Sequence, residues 1–252
     1  VAQTLAQRLL FIGLDDTDTL ESRGTGHLAR QVAAALVADY LVLGVTRHQL
    51  LVDPRVPYTA KNSSAAILLG LNDHVAPQAV VARVQAVMRE HFNPGSDPGL
   101  CVALQVPEAV TAFGRRAQRD LVTQAEARAL AAAHAIPLFG LGGNEGGVIG
   151  ALAAVGLAAS GDDGRYVMVG RSRQLSGLQP VAAVLAAGIA DVRTLDGRSV
   201  TEGLILTDRL RPARRGARPV AFVEWCRQPV GGPCLDLGEG SSQAYWRPLK
   251  LD

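Results

Sequence analysis

The run Leu10-Phe11-Ile12-Gly13-Leu14-Asp15-Asp16-Thr17-Asp18-Thr19 passes without a break from apolar to acidic residues. Such an apolar run reads as a buried strand, and the acids then fall at its C-terminal end. Open α/β sheets bind their ligands beyond the carboxyl ends of their strands. The stretch therefore predicts an α/β fold, with mixed α+β character further along, and puts candidate chemistry at Asp15, Asp16 and Asp18. Three carboxylates this close repel one another and call for a counter-charge. Mg²⁺ suits them, because it takes hard oxygen ligands from one or two carboxylates and fills its shell with water and phosphate oxygens.

Working outward, Arg23-Gly24-Thr25-Gly26-His27 leads into an alanine-rich run, 28–37, that reads as a helix. A glycine-bracketed helix start offers unpaired N–H groups at the positive end of the helix dipole. Gly24, Thr25 and Gly26 are thus candidate phosphate contacts. Each residue taken singly also has a plain structural role open to it: Asp15 or Asp16 in a turn, Asp18 in solvent, Thr25 as an N-cap. The acids and the bracketed threonine taken together favour function.

With 252 residues, 48% of them hydrophobic, the chain can bury a full core, and a disordered protein is excluded. No apolar run reaches the roughly 18 residues that a membrane span needs, so a soluble, cytoplasmic protein without a membrane partner is expected. Val1 in place of methionine suggests a trimmed start. The net charge of +2, from 25 basic and 23 acidic residues, is too balanced to imply a broad nucleic-acid surface. Locally, Arg209, Arg211, Arg214, Arg215 and Arg218 crowd one segment, either a solvated loop or an RNA contact. Cys101, Cys226 and Cys234 are widely spaced with no C-x-x-C pair. Neither a disulfide framework nor a zinc site is expected from them.

Two further stretches carry candidate function. In Asp53-Pro54-Arg55-Val56-Pro57-Tyr58-Thr59-Ala60-Lys61-Asn62-Ser63-Ser64 the prolines hold a loop out of helix. Lys61, one of only two lysines, would there join Asn62 and Ser63 as phosphate donors, or all three would make a polar surface turn. In Phe139-Gly140-Leu141-Gly142-Gly143-Asn144-Glu145-Gly146-Gly147-Val148-Ile149-Gly150, the glycines at 143, 146 and 147 would let the backbone approach a nucleotide. No lysine follows as in a P-loop, and a steric role is equally open; Gly150 and Gly156 suit close helix packing. Between these stretches, strand 65–71, helix 76–91 and strand 100–106 form a β-α-β unit. Thr123 with Glu126 has the spacing of a capping box at the head of another helix. Beyond residue 160 the chain changes character, into a smaller α+β region, 161–252, with an irregular tail that Tyr245 and Trp246 anchor.

Taken in order, the motifs resemble those of the archaeal tRNA 2-agmatinylcytidine synthetases that modify an isoleucine tRNA. Ile12-Gly13-Leu14-Asp15-Asp16-Thr17-Asp18 with Gly24-Thr25 is similar to the family's G-I-D-D-T-D-S opening and threonine loop. Asp53 to Asn62 is similar to its N-P-N-I-P-W-K-T-R-G-N. Gly147 to Gly156 is close to its G-V-I-G-A-L-A-A-I-G, and Asp97-Pro98-Gly99 to its N-P-G turn. The resemblance implies a kinase-like α/β domain, residues 1–160, with an associated ferredoxin-like β-α-β unit at about 65–106. It implies ATP and Mg²⁺ as cofactors, Asp15 and Asp16 on metal and nucleotide, Lys61 at the family's arginine, and Thr25 at a threonine that is itself phosphorylated. Archaeal members continue into an oligonucleotide-binding barrel and a zinc ribbon, and the chain is expected to lack both.

The function expected is an ATP- and Mg²⁺-dependent phosphotransferase or ligase that activates an oxygen of a small-molecule or RNA acceptor. Asp15, Asp16 and Asp18 would carry the metal, Lys61 would neutralise the transferred phosphoryl group, and Thr25 would position or accept it. Two alternatives stand beside it. One is a haloacid-dehalogenase-like phosphatase using Asp16 and Asp18, with Lys61 and Asp162-Asp163 as its later residues. The other is a non-catalytic nucleotide-binding subunit. A partner protein for RNA binding and a homodimer are both left open.

Overall fold

The computed structural model describes residues 8–56, 61–72, 76–208, 210–226 and 244–251. The opening run forms strand β1 (Arg8–Asp15). Leu10, Ile12 and Leu14 are wholly buried in one apolar cluster and Phe11 is buried in another. Both faces of the strand are covered, which is why its apolar residues run on without alternating.

After β1 come α1 (Thr25–Leu36), β2 (Leu41–Gln49), β3 (Ser63–Leu71), α2 (Pro77–His91) and β4 (Gly99–Ala103). These strands lie in the order β4-β1-β3-β2. β1 is antiparallel to both β3 and β4, and β2 is antiparallel to β3. A β-α-β-β-α-β chain with this order is a split β-α-β arrangement. The expected unit at 65–106 is present as β3, α2 and β4, with β1 inserted between its strands. The strand that carries the acids has antiparallel neighbours on both sides. Apolar periodicity says that a strand is buried on both faces, and it is silent about which partners bury it.

The chain continues through α3 (Glu108–Ala117), α4 (Gln124–Ala133), β5 (Leu138–Gly140), α5 (Val148–Ser160), β6 (Arg165–Met168), β7 (Leu178–Pro180), α6 (Val181–Ala186), β8 (Asp191–Arg193), β9 (Leu204–Leu206), β10 (Ala213–Arg215), β11 (Arg218–Cys226) and β12 (Tyr245–Pro248). The Thr123–Glu126 capping box heads α4 with both of its reciprocal hydrogen bonds. Helix α3 gives little sign of itself in sequence: its N-cap is Pro107, and Thr111 and Gly114 weaken its helical propensity. Tertiary packing on α5 decides it. β6 adds to the free edge of β2, and the sheet runs on through β10, β11, β12 and β9 to β7, crossing residue 160 without a break. Tyr245 is 2% exposed, and the Trp246 indole N–H donates to the Glu202 carbonyl, so both residues hold β12 down. Cys101 is buried in the core and Cys226 half-buried, while Cys234 and Arg209 lie outside the described residues. Among the described residues no helix is long and apolar enough to cross a membrane.

Helices α1 and α2 cover one face of the first four strands. α3, α4 and α5 cover the other. α5 is apolar on every side and buried from Gly150 to Ala158, with the sheet below it and α3 above. Glycine sets its height over the sheet. A Cβ on Gly13 would stand 2.0 Å from the Ala151 carbonyl oxygen, and one on Gly156 would stand 2.2 Å from that of Val110. Gly13→Ala is therefore expected to push α5 off β1 and to lower stability by about 1–3 kcal/mol, the usual cost of overpacking. Chemical denaturation would read this directly, and an unchanged midpoint would show that strand and helix have room to spare.

Candidate active site

The close approach of α5 fixes the first acid. Asp15 ends β1 on the face toward α5, where a Cβ on Gly150 would lie 1.7 Å from its Oδ2. Only glycine at 150 leaves room for that carboxyl. Desolvation beneath the helix, and then the neighbouring Asp16, push the Asp15 pKa up to about 8. Asp16 takes the left-handed conformation, φ 51°, which turns the chain sharply out of the strand. Such a backbone costs a non-glycine residue roughly 1 kcal/mol or more and gathers at functional sites. Burial, then the charge of Asp97, then that of Asp18 raise the Asp16 pKa to about 6, against the N–H that Asp97 offers it.

The sequence reading misses Asp97, taking its surroundings only as a turn. Its Oδ1 also accepts the Asn144 N–H at 2.7 Å, so it ties the turn before β4 to the glycine-rich loop. The signal is there in part, since Asp97-Pro98-Gly99 is one of the motifs. Its charge becomes visible only when the turn is laid beside Asp16.

Asp18 has a different task. Its Oδ1 accepts both the backbone N–H and the hydroxyl of Thr25, each at 2.9 Å. It caps α1 from outside the helix, because the N-cap residue Gly24 has no side chain to do so. One of the N–H groups expected to meet phosphate is therefore held by a carboxylate. The Thr25 hydroxyl also receives the Thr17 hydroxyl at 3.3 Å, and Thr25 is only 5% exposed. Among the described residues no three acidic, histidine or cysteine side chains group as ligands of one ion. Asp15 and Asp16 remain a hard-oxygen pair whose pKa values are raised first by burial and then by neighbouring carboxylates, and a pair of carboxylates is what Mg²⁺ asks of a protein.

A cleft of about 280 Å³ opens above the pair. Asp15, Asp16, Asn62, Asp97, Asn144, Gly146 and Gly150 line it, with Leu50, Leu51, Val56, Leu121, Val122 and Ile149 as apolar walls and Asp120 at its side. Of the residues singled out in the sequence, Asp15, Asp16, Asn62 and Gly146 meet here. The others are placed elsewhere. Lys61 is exposed and is not among the lining residues. Ser63 accepts the Arg47 Nε–H at 3.0 Å. Gly24 and Gly26 stand at the head of α1 and do not line the cleft. Gly143, at φ 58°, lets Asp97 pass, since a Cβ there would stand 1.8 Å from Asp97 Oδ1. The Gly146 N–H goes to Asn144 Oδ1 and the Gly147 N–H to the Asp97 carbonyl, at 2.7 and 2.9 Å. The glycine loop thus packs against its neighbours and spends these donors internally, while a Cβ on Gly147 would meet the Gly99 nitrogen at 2.5 Å.

The phosphatase reading fares worse. Asp163 accepts from the fully buried His48 at 2.7 Å and from Gln118 at 2.9 Å, and Asp162 accepts the Gly216 N–H. The acid pair it needs beside Asp16 is committed to joining β6 and β10 to the rest. The arginine segment also disperses. Arg214 is buried on the Ala158 carbonyl and the Tyr166 hydroxyl, and Arg218 reaches the Ala190 carbonyl.

No protein-family model matches the chain. Among curated proteins it is similar to TiaS of Cenarchaeum symbiosum (strain A), a 2-agmatinylcytidine synthetase for an isoleucine tRNA. The two are 26% identical over 153 residues, or 60% of this chain and 34% of that one. Among solved structures it is similar to a tRNA fluorescent labeling enzyme, at 28% identity and a TM-score of 0.52, and to TiaS in complex with its isoleucine tRNA and ATP, at 26% and 0.52. TiaS with the same tRNA, AMPCPP and agmatine is similar at 25% identity and a TM-score of 0.51. Each of these three matches covers 59% of this chain and 36% of the other. The resemblance carried by the motifs is borne out, as is the mixed α/β fold. The chain spans about a third of the length of the relatives it matches.

The acid pair makes stability depend on pH in a definite direction. With folded pKa values of about 8 and about 6, Asp15 and Asp16 hold protons that the unfolded chain, at about 3.9, has released. The native state then binds more protons over that window, so stability of the metal-free protein falls as pH rises from about 4 to about 8. Urea denaturation at pH 5 and pH 8 should show the loss in the wild type and a clearly smaller one in Asp15→Asn. Equal losses in both would place the carboxyl in solvent.

Proposed function

We propose that this chain is the nucleotide-using part of an ATP-dependent ligase or transferase that modifies RNA, of the kind its relatives are. One observation carries the reading. Residues from all the motifs that resemble the synthetases line a single cleft: Asp15 and Asp16 from the first, Asn62 from the second, Gly146 and Gly150 beside and in the third, and Asp97 from the turn. Motifs kept for unrelated packing reasons have no cause to converge.

The chemistry proposed is transfer of the γ-phosphoryl group of ATP. Asp15 and Asp16 would hold Mg²⁺, which when bound neutralises the triphosphate and the charge that develops in transfer. Asn62 and Asn144 supply neutral amide groups at the cleft for the nucleotide. The Thr25 hydroxyl already donates to Asp18, the geometry of a nucleophile and its general base. In a transfer to Thr25, its oxygen bonds the γ-phosphorus, the bridging P–O bond to ADP breaks, and the proton passes to Asp18. Because Thr25 is buried, the 16–25 segment has to open for this step, and direct transfer to an RNA oxygen at the cleft is the competing route. The acceptor favoured is RNA, on the strength of the tRNA complexes formed by its relatives. Lys61 is exposed and outside the cleft lining, so it would have to move to reach a bound phosphate.

Two measurements test the reading. Calorimetry with ATP and Mg²⁺ is expected to show binding that Asp16→Asn weakens at least about tenfold, the effect of removing one charge-assisted ligand. Intact-mass spectrometry after incubation is expected to show one added phosphate, absent in Thr25→Ala. ATP binding without any such phosphate would favour direct transfer or a non-catalytic subunit, and no ATP binding at all would end the proposal.

A further inference from the structure

The described arginines are not all answered alike. Arg55, Arg116, Arg128, Arg193, Arg198 and Arg247 each pair with a carboxylate. Of those described without a carboxylate partner, Arg23, Arg30, Arg173 and Arg211 stand close enough to act on one another. Arg30 donates to the Gly26 carbonyl and contacts the His27 ring, Arg173 donates to the Val167 carbonyl, and Arg211 to that of Leu210. They come from three distant parts of the sequence and share one region of the surface. Val167 and Met168 of β6 pack into the apolar cluster that holds Leu28, Val32 and Leu36 of α1, which sets the turn at Ser172–Gln174 beside that helix.

Arg30 and Arg211 are half-buried, and Arg23 and Arg173 are exposed. Burial, and then the charge of Arg173, hold both Arg30 and Arg211 below the ordinary guanidinium range; Arg211 and Arg23 act further on Arg30. Half-burying guanidinium groups beside like charges, with no carboxylate to answer them, is unfavourable unless an anion completes the arrangement. Its place in the fold indicates which anion. Arg23 immediately precedes Gly24 and Thr25, Arg30 lies on α1, Arg173 reaches the Val167 carbonyl beside that helix, and Arg211 precedes Pro212, whose carbonyl accepts the Tyr166 N–H. The helix covers the face of the sheet opposite to the cleft. Donors drawn from three chain segments match repeating phosphates better than the compact tail of one nucleotide.

We infer that Arg23, Arg30, Arg173 and Arg211 form a phosphodiester-binding surface, which holds an RNA backbone along α1 while its reacting nucleotide reaches over the sheet edge to Asp15 and Asp16. The inference rests on the RNA-modifying reading above. Of the 209–218 arginines, left open as a solvated loop or an RNA contact, only Arg211 takes part among the described residues.

The test is binding of the full chain to unfractionated transfer RNA, by fluorescence anisotropy over a series of KCl concentrations. In an Arg173→Gln/Arg211→Gln variant the affinity is expected to fall by about tenfold or more. The slope of log affinity against log salt is expected to shrink by about 1 to 2, the loss of two phosphate contacts. Arg173→Lys/Arg211→Lys should keep most of the slope, which separates charge from fold, and ATP affinity measured alongside should be unchanged in both. An unchanged slope in the glutamine variant, or no RNA binding by the wild type, overturns the surface. Lost ATP affinity with an intact RNA slope also overturns it and makes the arginines a triphosphate subsite. If the wild type binds RNA with the expected slope but binds no ATP, the surface stands and the reading of the cleft falls.

Discussion

Backbone contact between strand β1 and helix α5 is the constraint on which the rest of this molecule depends. Gly13 lets the Ala151 carbonyl come down onto the strand, Gly150 makes room for the Asp15 carboxyl, and Gly147 lies against Gly99 of β4. Because the helix is that low, its N-terminal turn and the acids at the end of β1 share one small volume. The site is a by-product of tight packing between two elements that are apolar where they meet. A methyl group at any of these glycines would separate them.

That packing also explains the electrostatics. A carboxyl beneath a buried helix loses water, and here each acid also feels its carboxylate neighbours, so the Asp15 and Asp16 pKa values rise together. Asp97 enters as a third charge from the turn before β4; its carboxylate accepts the Asn144 N–H, and its own backbone N–H donates to Asp16. The fold therefore holds unfavourable charge at one end of its central strand. The arginines around α1 are the opposite imbalance on the opposite face. A ligand with a metal-bound triphosphate and a polyanionic chain would relieve both at once.

The polar network at Thr46, His48, Asp163 and Gln118 has a structural part in this. His48 bridges the Thr46 hydroxyl and the Asp163 carboxylate at 2.8 and 2.7 Å, with His48 and Thr46 fully buried and Asp163 half-buried. It joins β2 to the turn before β6, where the first four strands meet the rest of the sheet. A buried network with its members satisfied fixes one arrangement of those strands, which a purely apolar seam would leave to slide.

Much was legible in the sequence because it depends on neighbours along the chain. The apolar run of β1, the capping box of α4, the order of the motifs and the acidic end of the first strand are all local patterns, and each has its counterpart in the fold. The resemblance to the synthetases rested on those same patterns. What the sequence could not supply was the partner of each part. It could not say that Asp18 turns to Thr25 while Asp97, some eighty residues further on, comes up to Asp16. Nor could it say that the glycine loop spends its N–H groups on Asp97 and Asn144, or that a crowd of arginines at 209–218 disperses while Arg211 joins Arg23, Arg30 and Arg173. Those outcomes follow from strand order and from the height of α5 over the sheet. Both are set by long-range packing, and a one-dimensional pattern of residue types carries no record of either.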